Sequence, residues 1–104
     1  MMKFFISQSM RNKTDEEIRA EREKAIKECE TFCRCFYLGA EFNVIDSIIE
    51  DAPDDAKPLW YIGKSLELLS EADVAFFVHG WKENRGCRLE HIACSEYGIR
   101  IIND

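Results

Sequence analysis

The sequence predicts an α/β protein: a single domain, residues 1–104, on an open parallel sheet of four strands with about three helices. Three observations carry this. Short apolar runs alternate four times with stretches of helical period, the signature of βαβ units with right-handed crossovers. The length of 104 residues suits one domain with one core. A composition of 46% apolar and 33% charged residues is that of an ordinary globular chain, which excludes wholesale disorder.

Lys3-Phe4-Phe5-Ile6-Ser7 is short, apolar and aromatic, and reads as a buried first strand. A polar turn, Gln8 to Lys13, follows it. Thr14-x-x-Glu17 is a capping box that opens a helix. Ile18, Ala25, Ile26, Cys29, Phe32, Cys33 and Phe36 recur at helical spacing and give it one apolar face, closed at or just before Gly39. Phe42 to Asp46 is the second strand. The acidic stretch Glu50 to Asp55 with Pro53 is a loop, and Pro58 suits the first turn of a second helix. Leu59, Ile62, Leu66 and Leu69 mark the expected buried face of that helix. Val74 to Val78 is the most apolar run and reads as a central strand covered on both faces. Asn84 is a candidate N-cap of a third helix, with Leu89, Ile92 and Ala93 expected inward and Gly98 as its left-handed C-cap. Ile99 to Ile102 forms the last strand. The expected strand order is 2-1-3-4, because the first and third strands then flank a ligand crevice at the switch in strand order.

Several function classes are excluded or unsupported. The net charge of −6 argues against binding polymeric nucleic acid, which needs a basic face. No apolar run approaches the length of a membrane span, and the apolar start is too short for a signal peptide, so a cytoplasmic location is expected. Five cysteines cannot all pair. Cys29, Cys33 and Cys35 cluster, but Cys29 and Cys33 fall on the apolar stripe, and both histidines lie far away in sequence, so no metal site is expected. Neither a dinucleotide-binding glycine motif, a Walker motif nor a serine-hydrolase elbow is present.

In open α/β sheets chemistry collects beyond the carboxyl ends of the strands. Three loops qualify here. The first supplies Ser7, Gln8, Ser9 and Arg11; the second, Asp46 and Ser47; the third, His79 to Trp81 and the helix start Asn84, Arg85, Gly86 and Cys87. Hydroxyls, amides, arginines and a helix N-terminus suit a sugar hydroxyl or a phosphate. Trp81 has the shape to stack on a base or sugar, or to serve as an aromatic lid over the strand end. Glu90 lies one turn into the helix, on the side of Gly86. Position alone leaves it open whether it faces a crevice or is one more solvated helix glutamate.

The segment Gly80-Trp81-Lys82-Glu83-Asn84-Arg85-Gly86-Cys87-Arg88-Leu89-Glu90, continued by Ala93 and Gly98, resembles a pattern of small nucleoside 2-deoxyribosyltransferase-like proteins. Phe5 to Arg11 is similar to that family's first strand and substrate-binding turn, and Ser65 to Val74 to the helix entering its third strand. The likeness covers nearly the whole chain. It implies a minimal flavodoxin-like or Rossmann-like three-layer sandwich and subunits that assemble as a homodimer or higher homo-oligomer. It also implies cleavage or transfer at the N-glycosidic bond of a nucleoside or nucleoside 5′-monophosphate, with no cofactor. On this likeness Glu90 stands at the nucleophile's position, Asn84 and Gly86 at the grip on the sugar's 5′ end, and Ser7 and Ser9 along the same crevice.

Two positions depart from the family's pattern. Its catalytic aspartate aligns with Ser65, and a tyrosine common on its first strand aligns with Phe5. The alternative is therefore a non-catalytic nucleotide-binding module on the same fold.

Overall fold

Two strands carry the core, and their side-chain alternation decides everything built around them. The computed structural model describes all residues, 1–104. β1 (Met2–Ser7) and β3 (Val74–Phe77) lie side by side at the centre, with Phe4 to Ser7 and Val74 to Phe77 all buried. β2 (Phe42–Val44) and β4 (Arg100–Ile102) are short, half-covered edges. All neighbours pair in parallel, in the order β2-β1-β3-β4 that the sequence predicts.

Successive strand residues point to opposite faces. On one face Phe4 and Ile6 join Val74, Phe76 and Val78, and pack on Ala25, Cys29 and Cys33 of α1 (Asp15–Phe36). On the other, Phe5, Ala75 and Phe77 pack on Leu69 of α2 (Pro58–Leu69) and Cys94 of α3 (Arg85–Tyr97). Right-handed crossovers require this split. The chain steps one way from β1 to β2 and the other way through β3 to β4, so α1 lies on one face and α2 and α3 on the other. The reversal falls between β1 and β3.

The helix ends follow their sequence signals. Thr14 accepts from the Glu17 amide while Glu17 Oε1 accepts from the Thr14 amide, completing the capping box. Pro58 occupies the first turn of α2. Asn84 Oδ1 accepts from the Cys87 amide at 2.9 Å, and Gly98 ends α3 at φ 72°, a left-handed conformation open to glycine. Cys29 and Cys33 are buried in the α1 core, and burial pushes the Cys29 thiol up to about 12. No helix is long and apolar enough to cross a membrane.

Four expected buried positions are corrected. Leu59 is 77% exposed at the start of α2, while Ile62, Leu66 and Leu69 turn toward the protein. In α3, Ile92 is 56% exposed and Leu89 41%. At 100° per residue, Cys87, Glu90 and Cys94 share a narrow stripe, and Leu89 and Ile92 fall roughly opposite it. The stripe holding the small thiols fits close against the sheet, and the bulkier leucine and isoleucine do not. Phe36 also emerges at the end of α1, stacked on Phe32 at 4.5 Å.

Candidate functional site

Ser7 is the last residue of β1, and strand parity points it to the α3 face. Glu90 arrives there from the inward stripe of α3. Ser7 Oγ donates to Glu90 Oε1 at 2.6 Å, and Ser65 of α2 donates to Glu90 Oε2. The carboxylate is thus clamped between two hydroxyls and is only 6% exposed. Burial raises its pKa above the ordinary carboxylate range, and the hydrogen bonds from Ser65 and then Ser7 pull against that rise. A buried carboxylate of raised basicity, held but not ion-paired, is a nucleophile or proton acceptor in waiting.

Glu90 opens onto a cleft of about 750 Å³ across the carboxyl ends of the strands, a volume in the range for small-molecule sites. Phe5, Ile62 and Leu89 supply apolar wall, and Arg11, Arg22, Lys57 and Arg85 supply positive charge. At the α3 end the cleft runs into a wholly polar annex of about 440 Å³, lined by Ser9, Arg11, Asn12, Glu83, Asn84, Arg85, Gly86 and Arg88. The chain's ion pairs are Lys13–Glu21, Arg34–Glu30, Lys64–Glu67 and His91–Asp104, so none of these cleft and annex cations is in direct contact with a carboxylate, although Glu83 lines the annex and the charge of Asp46 is felt at Arg22. A chain of net charge −6 has gathered unpaired cations around one cavity. That favours an anionic ligand.

No protein-family model, curated protein or solved structure matches the chain. The site is therefore read from its own geometry.

Most sequence-predicted site residues converge. Gln8, Arg11, Asn84, Arg85, Gly86, Cys87 and Glu90 line the cleft, and Ser7 touches Glu90. Ser9 sits in the annex and accepts from Asn84 Nδ2 at 3.1 Å. Asn84 is committed on both atoms, capping α3 with its oxygen and tying the β1 turn with its nitrogen. Gly86 is packed closely: a Cβ there would stand 3.2 Å from Asn84 Oδ1. Gln8 donates to Ile18 O and Glu21 Oε1, which leaves its own Oε1 buried without a partner. Cys87 is buried beside Ser7 and Glu90, and burial raises its thiol pKa, with Glu90 adding to the rise. It is a wall of the site and a poor nucleophile.

Two residues lie elsewhere. Trp81 stacks on His91 with ring centres 4.2 Å apart and leans on Phe77 at 5.3 Å, outside both the cleft and the annex. It is a lid over the β3 end, because the ring finds more apolar contact there than in an open crevice. Asp46 is exposed and accepts from the Ile48 amide, shaping the turn after β2.

Sequence reasoning missed Arg22 and the direct contact of Ser65 with Glu90. Arg22 is half-buried in α1, lines the cleft, and donates to Ser47 Oγ at 3.2 Å and Ile45 O at 3.3 Å. A signal for it existed: the apolar stripe of α1 skips from Ile18 to Ala25, and Arg22 occupies the gap, four residues after one and three before the other.

Proposed function

We propose that the protein is a cytoplasmic enzyme that cleaves or exchanges the N-glycosidic bond of a nucleoside or nucleoside 5′-monophosphate, with Glu90 as nucleophile. The observation that carries this reading is the buried Glu90 carboxylate, fixed by Ser7 and Ser65 at the wall of a nucleotide-sized, cation-rich cleft. Burial makes the carboxylate a better nucleophile. The two hydroxyls hold it in one rotamer, so it meets the anomeric carbon pre-oriented.

In the proposed reaction a Glu90 oxygen attacks C1′ as the C1′–N bond breaks, and the bonding pair leaves with the base. Water, or the nitrogen of a second base, then attacks C1′ from the vacated side. The glycosyl ester bond breaks, its electron pair returns to Glu90, and the proton of the incoming nucleophile goes to the departed base. The polar annex at the N-terminus of α3, with Arg11, Arg85 and Arg88, suits a 5′-phosphate at the end of the sugar opposite the base. The test is incubation with a panel of deoxynucleosides and their 5′-monophosphates, with free base followed by chromatography.

A second reading has its own support. Glu90 is the only carboxylate among the cleft's walls, and Ser65 supplies a hydroxyl, not a carboxylic acid, beside it. A nucleotide-binding module without turnover fits that chemistry. Tight nucleotide binding with no base released on prolonged incubation decides for it.

We also propose that the chain forms a homodimer through the exposed apolar side chains of α2 and α3. Leu59, Leu89 and Ile92 lie there, two of them on the rim of the cleft.

A further inference from the structure

The proposed reaction leaves one chemical problem unsolved, since no carboxylic acid stands ready to protonate the base as it departs. The cleft offers another device. Arg22 projects from α1 at the β2 side of the site, where the loop after β2 brings Ser47. The sheet order places that loop beside the β1 turn and on the far side of β1 from β3, whose following loop leads into the annex. A nucleotide with its phosphate in the annex and its sugar at Glu90 therefore extends its base toward Arg22 and Ser47.

Arg22 is built for that contact. Its guanidinium is half-buried, has no carboxylate partner, and spends one N–H on Ser47 Oγ and one on Ile45 O. These two bonds fix the plane of the fork and leave its remaining N–H groups free at the cleft wall. Ser47 Oγ is itself held toward Ile6 O. Burial lowers the basicity of the guanidinium and the charge of Asp46 restores part of it, so a permanent cation is held in a partly desolvated place.

Resting on the N-glycosidic reading above, we propose that Arg22 receives the leaving base and selects bases that present an oxo oxygen in place of an exocyclic amino group. As the C1′–N bond breaks, the electron pair passes into the base ring. The guanidinium, donating to the oxo oxygen and, in a 6-oxopurine, also to N7, holds the resulting anion until the proton of the incoming water or second base reaches it. An amino group at the same place meets the donors of Arg22 with its own hydrogens, so the site rejects it. A guanidinium fork pairs with the O6/N7 edge of a 6-oxopurine in this way, a contact that discriminates bases strongly in nucleic-acid recognition.

Two matched pairs of deoxynucleoside 5′-monophosphates test this: hypoxanthine against adenine, and uracil against cytosine, each pair exchanging an oxo group beside a ring N–H for an amino group beside a bare ring nitrogen. The wild-type protein is expected to favour the oxo member of each pair by about tenfold or more in kcat/KM. Arg22→Gln should shrink both preferences to within about threefold and slow poor leaving groups more than activated ones. Arg22→Lys should keep most of the rate and part of the oxo preference, because it retains charge and donors without the planar fork. An Arg22 that only ties down the β2 loop would lower melting temperature and slow all four substrates alike, and that result overturns the proposal. So does an oxo preference that survives in Arg22→Gln. Calorimetric binding of the same four nucleotides to Glu90→Gln protein, with and without Arg22→Gln, reads the selectivity independently of turnover. If no base is ever released but the oxo preference in affinity depends on Arg22, the nucleophile assignment and the part of Arg22 in base departure fail, and its role in base selection stands. If the affinities show no such preference, the Arg22 proposal fails.

Discussion

Replacing Asn84 separates the architecture of the site from its electrostatics. Its Oδ1 caps α3 through the Cys87 amide and its Nδ2 holds Ser9 at 3.1 Å, so alanine removes both bonds at once. Losing an N-cap of this kind costs about 1 kcal/mol. Losing a partly buried neutral hydrogen bond adds about another 1 kcal/mol. A total of about 2 kcal/mol lowers the melting temperature of a domain this size by roughly 8–16 °C. Aspartate behaves differently. Its carboxylate still accepts from Cys87 and is favoured by the helix dipole, and the Ser9 hydroxyl can turn to donate to it, so Asn84→Asp should melt within a few degrees of wild type. Yet it places a negative charge beside Arg11, Arg85 and Arg88 in the annex, and nucleotide binding should weaken by about tenfold or more. Calorimetric melting paired with titration of a nucleoside 5′-monophosphate reads both effects. If Asn84→Asp binds as tightly as wild type, the annex does not hold the phosphate.

Other outcomes follow from the same geometry. In the proposed reaction Glu90 acts ionised, and burial raises its pKa, so kcat/KM should fall on acidification at a pH above the ordinary carboxylate range. Ser65→Ala removes a donor to the charged form and should move that acid limb to still higher pH, which a pH–rate profile will show. The raised pKa also has a sign for stability. The protonated form contributes stability fully present below the unfolded pKa and lost as pH rises through the folded one, so Glu90→Gln should melt above wild type at neutral pH and lose that advantage in acid. Ile92→Asp should convert the proposed dimer to a monomer in light scattering with little change in the far-ultraviolet spectrum, since Ile92 is turned away from the core.

The sequence exposed the sheet order, the capping box, both ends of α3 and the loops that meet at the cleft, because each rests on a local signal or on crossover handedness. It misjudged the inward face of α3. Apolarity suggested Leu89 and Ile92, whereas close packing selected Cys87, Glu90 and Cys94. That one rotation takes Glu90 out of solvent and into contact with Ser7, and no periodicity argument shows a glutamate preferring the sheet side. The shape of Trp81 suits either a ligand or a lid, and its packing on His91 and Phe77 depends on a tertiary neighbour invisible in sequence. Ser65 looked like a loss, and the structure makes it a partner of the carboxylate. Arg22 was hidden by its place in an apolar stripe, where a charge reads as noise until the cleft beside it is known.

In the proposed reaction Glu90 forms a bond to the anomeric carbon. Incubation with a 2-fluoro-substituted deoxynucleoside 5′-monophosphate slows breakdown of the glycosyl-enzyme more than its formation, and lets it accumulate for intact-protein and peptide mass spectrometry. One sugar-phosphate adduct per chain is expected, located on Glu90, released slowly with time and absent in Glu90→Gln. Base release from ordinary substrate with no adduct on Glu90, and with turnover retained in Glu90→Gln, would contradict it.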